Sequence, residues 1–322
     1  MGRHSSSPRG GVEQLLDHGP GWQDGTFEQL EAAGLNPEWA AAMISYVVSE
    51  DLGGNPGRDV TTQAIISPQS RCTVHLVARE QGLVAGMPLV PVVLAETAHR
   101  LGHLSPSIDV RVPDGTEVVR GDVLAVMYGS TQALLMAERT ILNLICRASG
   151  VATHTGRWVD ELEGTAATVL DTRKTTPGLR ALEKYAVRVG GGVNKRMGLY
   201  DVAMVKDNHK LAAGSVSAAF DAVEEMFPDV PVQVEVTTVD EAEEAVAAGA
   251  RFLLCDNMSV ELLTLAVKAA RAATPETLEI EATGGLTLEV ANEYARAGVD
   301  YLSVGGLTHS SPILDIALDL ID

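Results

Sequence analysis

From about residue 165 onward, short apolar runs alternate with helical patterns, and each run ends at a polar residue or a glycine pair. In order, the runs are TVLD, VAMVK, VQVEV, FLLCD, LEIEATGG and YLSVGG. Their ends lie about 20–35 residues apart, which is the length of a βα unit with parallel strands. Strands that are buried on both faces are continuously apolar, and these runs are. The pattern predicts an α/β domain on a parallel sheet, with helices over residues 179–189, 215–227, 239–248, 260–273 and 288–297.

Two arrangements of this sheet are compatible with the repeat: an α/β barrel and an open, doubly wound sheet. A doubly wound sheet normally places its Gly-rich turn after the first strand. In this chain the diglycines, Gly284–Gly285 and Gly305–Gly306, follow the last two strands, which is where barrels bind phosphate. A barrel is therefore predicted, with its site at the carboxyl ends of the strands.

The first part of the chain has a different organisation. Residues 1–25 are rich in Gly, Ser and Pro without periodicity, which predicts a disordered extension. From residue 26 to about 130 the pattern indicates an α+β region, with a β-hairpin over DGTEVVRGDVLAVMYGS. A helix with an apolar face follows over residues 132–150, and Gly150 is expected to end it.

Positive charge is concentrated in one segment of an acidic protein. Between Arg173 and Lys210, nine Lys and Arg side chains stand against three acids, although the formal net charge of the chain is -19. Such a local field attracts small anions into a cleft. The overall acidity argues against nucleic acid and against an anionic membrane surface as partners. With no signal-like start and no apolar stretch of membrane-spanning length, a cytoplasmic protein is expected.

The residues at the strand ends are the candidates for chemistry. Arg173 and Lys174 follow the first strand of the repeat, and Lys206 follows the second. A lysine at such a position needs an acid or an anionic ligand within reach, because an unpaired buried charge is costly. Glu235 and Asp256 lie at neighbouring strand ends. They could hold ribose hydroxyls, Mg²⁺ or the positive charge of an oxocarbenium-like transition state, or form a structural ion-pair network.

Two further patterns are open to a structural interpretation. Arg180, Lys184 and Arg188 repeat at intervals of four along a helix, away from its apolar face, and are interpreted as solvated surface. The segment GGLTHSSP offers a diglycine and capping residues, a combination typical of phosphate sites at helix starts. His309 within it is either a structural residue or a ligand contact.

In this order, DTRKTTPGLRALEKYAVRVGGG, KDNH, EVT, CDNM, EATGGL and SVGGLTHS closely resemble the quinolinate phosphoribosyltransferase family, as do RDVTT and AERTILNL before them. The resemblance runs from about residue 50 to the C-terminus. It implies an N-terminal α/β sandwich domain, placed at residues 26–136, and an incomplete, seven-stranded α/β barrel of TIM type at residues 137–322. The last helix would pack on the N-terminal domain.

The family reaction joins quinolinate to 5-phosphoribosyl-1-pyrophosphate and releases pyrophosphate and CO₂, giving nicotinate mononucleotide for NAD biosynthesis. The resemblance implies Mg²⁺ as cofactor and a homodimer or larger assembly with a site shared between subunits. Both substrates are polyanions, which agrees with the cationic segment, and arginine suits bidentate recognition of carboxylates.

Carried over by motif, the resemblance assigns roles to residues of this chain. Those implied to bind the substrate acid and pyrophosphate are Arg139 (from the neighbouring subunit), Thr172, Arg173, Lys174, Lys195, Arg196 and Lys206. Those implied to bind ribose hydroxyls and Mg²⁺ are Glu235 and Asp256. Those implied to surround the 5′-phosphate are Thr283, Gly284, Gly285, Gly305, Gly306 and His309. The predicted catalytic residues are Lys174, Lys206, Glu235 and Asp256.

One position departs from the family pattern, because Lys195 stands where the family usually has His. Lysine keeps its charge but lacks the neutral state of imidazole, so it can hold an anion but is a doubtful acid–base group. The alternatives are a relative acting on another pyridine or azole acid, a molybdenum-transport-associated relative, and a non-catalytic sugar-phosphate binding protein. The intact KDNH disfavours the second, and Glu235 with Asp256 disfavours the third.

Overall fold

A computed structural model describes residues 21–321, which divide into two units. One contains the residues up to Arg147 together with the segment from Leu314, and the other is Ala148–Ile313. Residues 1–20 of the predicted extension lie outside the described residues. None of the helices between residues 21 and 321 combines the length and apolar character that a bilayer crossing needs.

Within the described residues, the first unit contains four complete helices, the beginning of a fifth that continues into the second unit, and two antiparallel sheets. Its helices are α1 (Thr26–Ala32), α2 (Pro37–Leu52), α3 (Val60–Ile65) and α4 (Val90–Arg100), with a 3₁₀ turn at Met87–Leu89. Its strands are β1 (Arg71–Ala78), β2 (Gly82–Leu83), β3 (Ser107–Val110), β4 (Glu117–Val118), β5 (Val123–Ser130) and β12 (Ile316–Ile321). The larger sheet has the order β12-β1-β5-β3, and β2 pairs with β4.

Local sequence explains where these elements begin. The side chain of Asn36 accepts a hydrogen bond from the backbone of Trp39, and Pro37 occupies the first turn of α2. Asp59 caps α3 by accepting from the backbone amides of Thr61 and Thr62. The predicted hairpin over residues 114–130 is wrong in its pairing, because β4 pairs with β2 while β5 lies between β1 and β3.

The helix predicted over residues 132–150 is longer than expected. Helix α5 runs from Thr131 to Glu161, and the division between the units falls inside it, between Arg147 and Ala148, and not at residues 136/137. Gly150 does not end it. A Cβ at this position would lie 2.0 Å from the backbone oxygen of Pro312, so glycine here permits close backbone packing.

The second unit is the predicted α/β barrel. After the latter part of α5 its strands are β6 (Thr168–Leu170), β7 (Ala203–Val205), β8 (Val232–Val236), β9 (Phe252–Asp256), β10 (Glu279–Thr283) and β11 (Tyr301–Ser303). Its helices are α6 (Arg180–Val189), α7 (Asp207–Ala213), α8 (Val216–Met226), α9 (Val239–Ala248), α10 (Val260–Ala272), α11 (Leu288–Arg296) and the short α12 (Gly306–His309). The five predicted helices are confirmed to within one or two residues.

All pairings in this sheet are parallel, in the order β6-β11-β10-β9-β8-β7. Within the described residues this parallel sheet has six strands, where seven were expected. The seventh position is represented by a single parallel bridge between Val193 and Leu170 at the β6 edge. Because the strands are parallel, their carboxyl ends lie along one edge of the barrel wall, and the polar strand-end residues gather there.

The end of the chain differs from the prediction. The segment after His309 was expected to form a last helix on the N-terminal domain, but Ile316–Ile321 is a strand, β12, paired antiparallel with β1. The run IALDLI contains a single polar residue, Asp319, and a run this short does not distinguish strand from helix by periodicity. Pairing with a neighbouring strand decides its conformation.

Candidate active site

Lys206 and Glu235 form an ion pair at the carboxyl edge of the barrel. Lys206 directly follows β7, and its Nζ lies 2.9 Å from Oε2 of Glu235 in β8. The side chain of Glu235 is 9% exposed and that of Lys206 is 48% exposed. The Lys206 side chain is therefore about half open to solvent while it is paired with Glu235, which leaves room for an anionic ligand to approach it.

A second pair, Lys195 with Glu281, is more deeply buried. Nζ of Lys195 lies 2.6 Å from Oε1 of Glu281, whose other oxygen accepts a 2.6 Å hydrogen bond from Nε2 of Gln233. The side chains of Lys195 and Glu281 are 9% and 0% exposed. Burial lowers the pKa of Lys195, with Arg196 and Lys206 adding positive charge and Glu281 opposing the shift. Lys195 is thus a buried cation within the site.

A third pair fixes the loop that carries Lys195. The ammonium of Lys184 donates to Oδ1 of Asp171, and the two side chains are 2% and 0% exposed. Asp171 also accepts from the Asn194 side chain and from the Lys195 backbone, at 2.7 and 2.8 Å. Burial raises the pKa of Asp171 and lowers that of Lys184, against the attraction between them. The interpretation of Lys184 as solvated surface is therefore wrong.

Arg180 and Arg196 make hydrogen bonds within the two loops that carry the cations, one after β6 and one after α6. Arg180 donates to Oγ1 of Thr175 and to the backbone oxygen of Met197, at 3.0 Å each, so it links the loops after β6 and after α6. Arg196 donates to the backbone oxygen of Val202 at 2.9 Å, and burial, followed by the charge of Arg173, lowers its pKa. The buried Nε of Arg173 has no hydrogen-bond partner within residues 21–321.

Beside these pairs lies a cavity of about 640 Å³ at the ends of β9, β10 and β11. Gly284 and Gly285 have positive φ of 96° and 62°. A Cβ on Gly284 would lie 2.3 Å from Oδ1 of Asn257, and one on Gly305 would lie 2.8 Å from Cδ of Lys174. Packing and backbone conformation therefore require glycine at residue 284, whereas a side chain at residue 305 would have to displace that of Lys174.

The cavity brings together a large part of the predicted site. The predicted residues that line it are Lys174, Asp256, Thr283, Gly284, Gly285, Gly305, Gly306 and His309. Other predicted residues lie in the ion pairs and loops described above: Arg173, Lys195, Arg196, Lys206 and Glu235. Thr172 accepts a 3.0 Å hydrogen bond from the Lys174 backbone. Arg139 lies in the first unit, with an exposed side chain on α5.

Nine residues that line the cavity were not among the predicted ones, and three of them carry aromatic or amide side chains. His154 and Trp158 enter it from α5, and Asn257, which has a positive φ of 53°, enters it after β9. His154 and Trp158 are four residues apart, so the helical period places them on one face. That spacing is the signal that could have grouped them, but nothing in it indicates a cavity.

A parallel α/β barrel whose strand ends carry paired cations and carboxylates beside two glycine turns is an enzyme architecture suited to phosphorylated, polyanionic substrates. Comparison with known proteins gives the family. Residues 59–149 match the model of the quinolinate phosphoribosyl transferase N-terminal domain, and residues 151–319 match that of the C-terminal domain. The chain belongs to the quinolinate phosphoribosyl transferase family.

Individual relatives agree. The chain is 47% identical to the nicotinate-nucleotide pyrophosphorylase [carboxylating] of Mycobacterium leprae, over 86% of this chain and 95% of the relative. It is 36% identical to quinolinate phosphoribosyltransferase [decarboxylating] 1b of Nicotiana tabacum, over 86% and 81%. Among solved structures it is similar to NadC from Streptococcus pyogenes, with a TM-score of 0.82, 34% identity and coverage of 89% and 99%.

Proposed function

We propose that this protein transfers the phosphoribosyl group of 5-phosphoribosyl-1-pyrophosphate to quinolinate and releases pyrophosphate and CO₂, forming nicotinate mononucleotide in NAD biosynthesis. The observation that carries the proposal is that one edge of the barrel holds both kinds of group that the reaction needs. Lysine and arginine side chains that can bind the substrate carboxylates and pyrophosphate lie beside protein carboxylates that can bind ribose and stabilise a developing positive charge. The chain is also a member of this family.

Quinolinate would bind among the cations of the loops after β6 and α6. Its two carboxylates would face Arg173, Lys174 and Arg196, with Thr172 and Lys195 beside them. Two observations support this. The buried Nε of Arg173 lacks a partner within the described chain, and the buried ammonium of Lys195 is held by a single carboxylate oxygen. Burial of such donors is compensated when an anion accepts from them.

The phosphoribosyl group would occupy the cavity. Its 5′-phosphate would lie against the turns Gly284–Gly285 and Gly305–Gly306, with Thr283 and His309 at the sides. The backbone is accessible at these glycines because no Cβ covers it. Lys206 would bind pyrophosphate or a ligand carboxylate, because its side chain is about half exposed while remaining paired with Glu235.

The chemistry needs no protein nucleophile. The ring nitrogen of quinolinate attacks C1 of the ribose as the C1–O bond to pyrophosphate breaks. Glu235 and Asp256 would stabilise the positive charge that develops on the sugar, and the cations would stabilise the leaving pyrophosphate. The pyridinium formed then stabilises the electron pair of the adjacent C–CO₂⁻ bond as that bond breaks and CO₂ leaves, and the resulting ring carbanion takes a proton from solvent to give nicotinate mononucleotide. Positioning and electrostatics would thus supply the catalysis.

The donor set fits the expected Mg²⁺. Glu235 and Asp256 offer carboxylate oxygens at the ends of neighbouring strands, and Mg²⁺ is usually held by one or two carboxylates together with substrate phosphates. Within residues 21–321, no three His, Cys, Asp or Glu side chains are grouped as a metal site. The ion would therefore be held jointly with the substrate, where it would neutralise charge on pyrophosphate.

We further propose that the protein works as a homodimer or larger assembly in which Arg139 completes the site of the neighbouring subunit. Its exposed side chain on α5 supports this role. The cytoplasmic location expected from composition stays a prediction.

The deciding experiment supplies quinolinate, 5-phosphoribosyl-1-pyrophosphate and Mg²⁺ and measures CO₂ and nicotinate mononucleotide. We expect equimolar products, no turnover after chelation of Mg²⁺, and none in Glu235→Gln. The matched control is Glu224→Gln, an exposed acid on α8. Turnover of nicotinate in place of quinolinate would show that the substrate assignment is wrong.

A further inference from the structure

His154 and Trp158 line the cavity on α5, one helical turn apart. Trp158 is 3% exposed, and His154 is half-buried. Neither has a role in the reaction proposed above. Both lie in the second unit, together with every other residue of the cavity. The pair therefore belongs to the wall that would enclose the phosphoribosyl group.

The hydrogen bonds of His154 define one protonation state. Nε1 of Trp158 lies 3.2 Å from Nε2 of His154, and an indole nitrogen can only donate, so Nε2 must accept. The proton of the neutral ring is then on Nδ1, which lies 2.7 Å from Oγ of Ser311. A doubly protonated imidazole would set two N–H groups against each other and break the bond to Trp158.

The hydrogen bonds from Trp158 to His154 and from His154 to Ser311, here called the relay, continue to the turn beside the cavity. Oγ of Ser311 donates to the backbone oxygen of Leu307 at 2.6 Å, within α12. On its other side the same turn is tied to the loop after β6, because Oγ1 of Thr308 donates to the backbone oxygen of Lys174 at 2.8 Å. Residues 305–311 are thus held between His154 on α5 and Lys174 in the loop after β6.

We propose that His154 is a positioning residue for the phosphoribosyl substrate: as neutral imidazole it links Trp158 to Ser311 and holds residues 305–311 in the geometry that receives the 5′-phosphate. This inference rests on the proposed function and deepens it. It distinguishes the two substrates, because the relay supports the phosphate end of the cavity and not the arginines expected to bind quinolinate.

The relay also gives a pH dependence. Burial, followed by the charge of Arg157 on the same helix, lowers the pKa of His154. The other charged and titratable groups that line the same cavity are Lys174, Asp256, Glu289 and His309. Acidification protonates His154 and breaks the bond to Trp158, so the affinity for 5-phosphoribosyl-1-pyrophosphate should fall on the acidic side more steeply than the affinity for quinolinate.

The test compares steady-state constants of His154→Ala, His154→Asn, His154→Gln and Ser311→Ala with those of the parent protein. The Asn amide can donate from the place of Nδ1, whereas the Gln oxygen can only replace Nε2. Loss of the Ser311 link should raise KM for 5-phosphoribosyl-1-pyrophosphate about threefold to tenfold in the Ala and Gln variants. Asn should restore it to within about twofold, and KM for quinolinate should not change.

A parallel rise of both KM values, or equal behaviour of Asn and Gln, would overturn the proposal. Binding of inorganic phosphate, followed by fluorescence of Trp158 in a Trp22→Phe/Trp39→Phe background, provides an arm that does not depend on turnover. If the parent protein fails to use quinolinate, the proposed function is wrong. The positioning role then stands if phosphate binding weakens in His154→Ala but not in His154→Asn, and falls if both bind equally.

Discussion

The ion pair between Lys184 and Asp171 gives the sharpest test of the packing around the site. Lys184→Met keeps the length and much of the volume of the side chain but leaves the Asp171 carboxylate buried without its cation. The two side chains are 2% and 0% exposed, so solvent does not screen the remaining charge. Removing one partner of such a pair costs about 3–5 kcal/mol of the free energy of unfolding.

The same helix supplies a matched control one turn away. Arg188→Met removes a cation from an exposed position, where the charge and its hydrogen bond to Oδ1 of Asn194 together contribute at most about 1 kcal/mol. At about 2–4 °C per kcal/mol for a unit of this size, Lys184→Met should lower Tm by roughly 6–20 °C and Arg188→Met by a few degrees at most. Urea unfolding at neutral pH, with midpoint and slope determined together, measures the corresponding free energies.

A double variant isolates the cause. Asp171→Asn removes the charge that Lys184→Met leaves unpaired, so the combination should recover more than half of the loss. The reasoning is refuted if Lys184→Met costs less than about 1 kcal/mol, or if the double variant is no more stable than Lys184→Met alone. Because Asp171 also holds the backbone of Lys195, Lys184→Met should raise KM for quinolinate as well.

Three further outcomes are expected. Lys195→His should keep kcat/KM within about tenfold of the parent value at neutral pH, because Glu281 favours the charged imidazolium. As pH rises the variant should lose activity while the parent protein does not. Activity no higher than background at neutral pH would contradict this expectation. Arg139→Ala and Lys206→Ala should each be inactive alone and partly active when mixed, if the site is shared; absence of rescue counts against sharing. Because the pKa of His154 is lowered in the folded protein, His154 takes up a proton in the unfolded chain at a higher pH than in the folded one. The contribution of neutral His154 to folding stability is therefore present above about pH 6.5 and is lost as the pH falls below that value. His154→Asn should flatten that part of the stability–pH curve.

The parts of the fold that sequence predicts are those fixed by local periodicity. Helices such as Val239–Ala248 and strands such as Val232–Val236 have a clear apolar pattern and lie where that pattern places them. The carboxyl-edge residues followed from the same pattern, because parallel strands bring their ends together. Once β8 and β9 were assigned as neighbouring strands, that assignment alone was enough to predict that Glu235 and Asp256 lie at the same edge of the sheet.

The errors come from contacts distant in sequence. Lys184 repeats with Arg180 and Arg188 along one helix, and the spacing alone does not reveal that Asp171 lies against only one of the three. Gly150 fits a helix end locally, but it lies inside α5, where the absence of a Cβ permits the close approach of Pro312. The role of His154 depends in the same way on Ser311, a residue far along the chain.

The pairing of β12 with β1 has a consequence for how this protein can be made. The first unit consists of two separate stretches of chain, with the entire barrel encoded between them. During synthesis the four-stranded sheet cannot be completed until β12, the last strand, has been translated. In a fragment ending at Arg147, the edge of β1 that includes Val74 and Leu76 would have no neighbouring strand. Such edges recruit other chains. Expression of that fragment should yield aggregate, whereas adding residues 314–322 as a separate peptide offers the missing strand back.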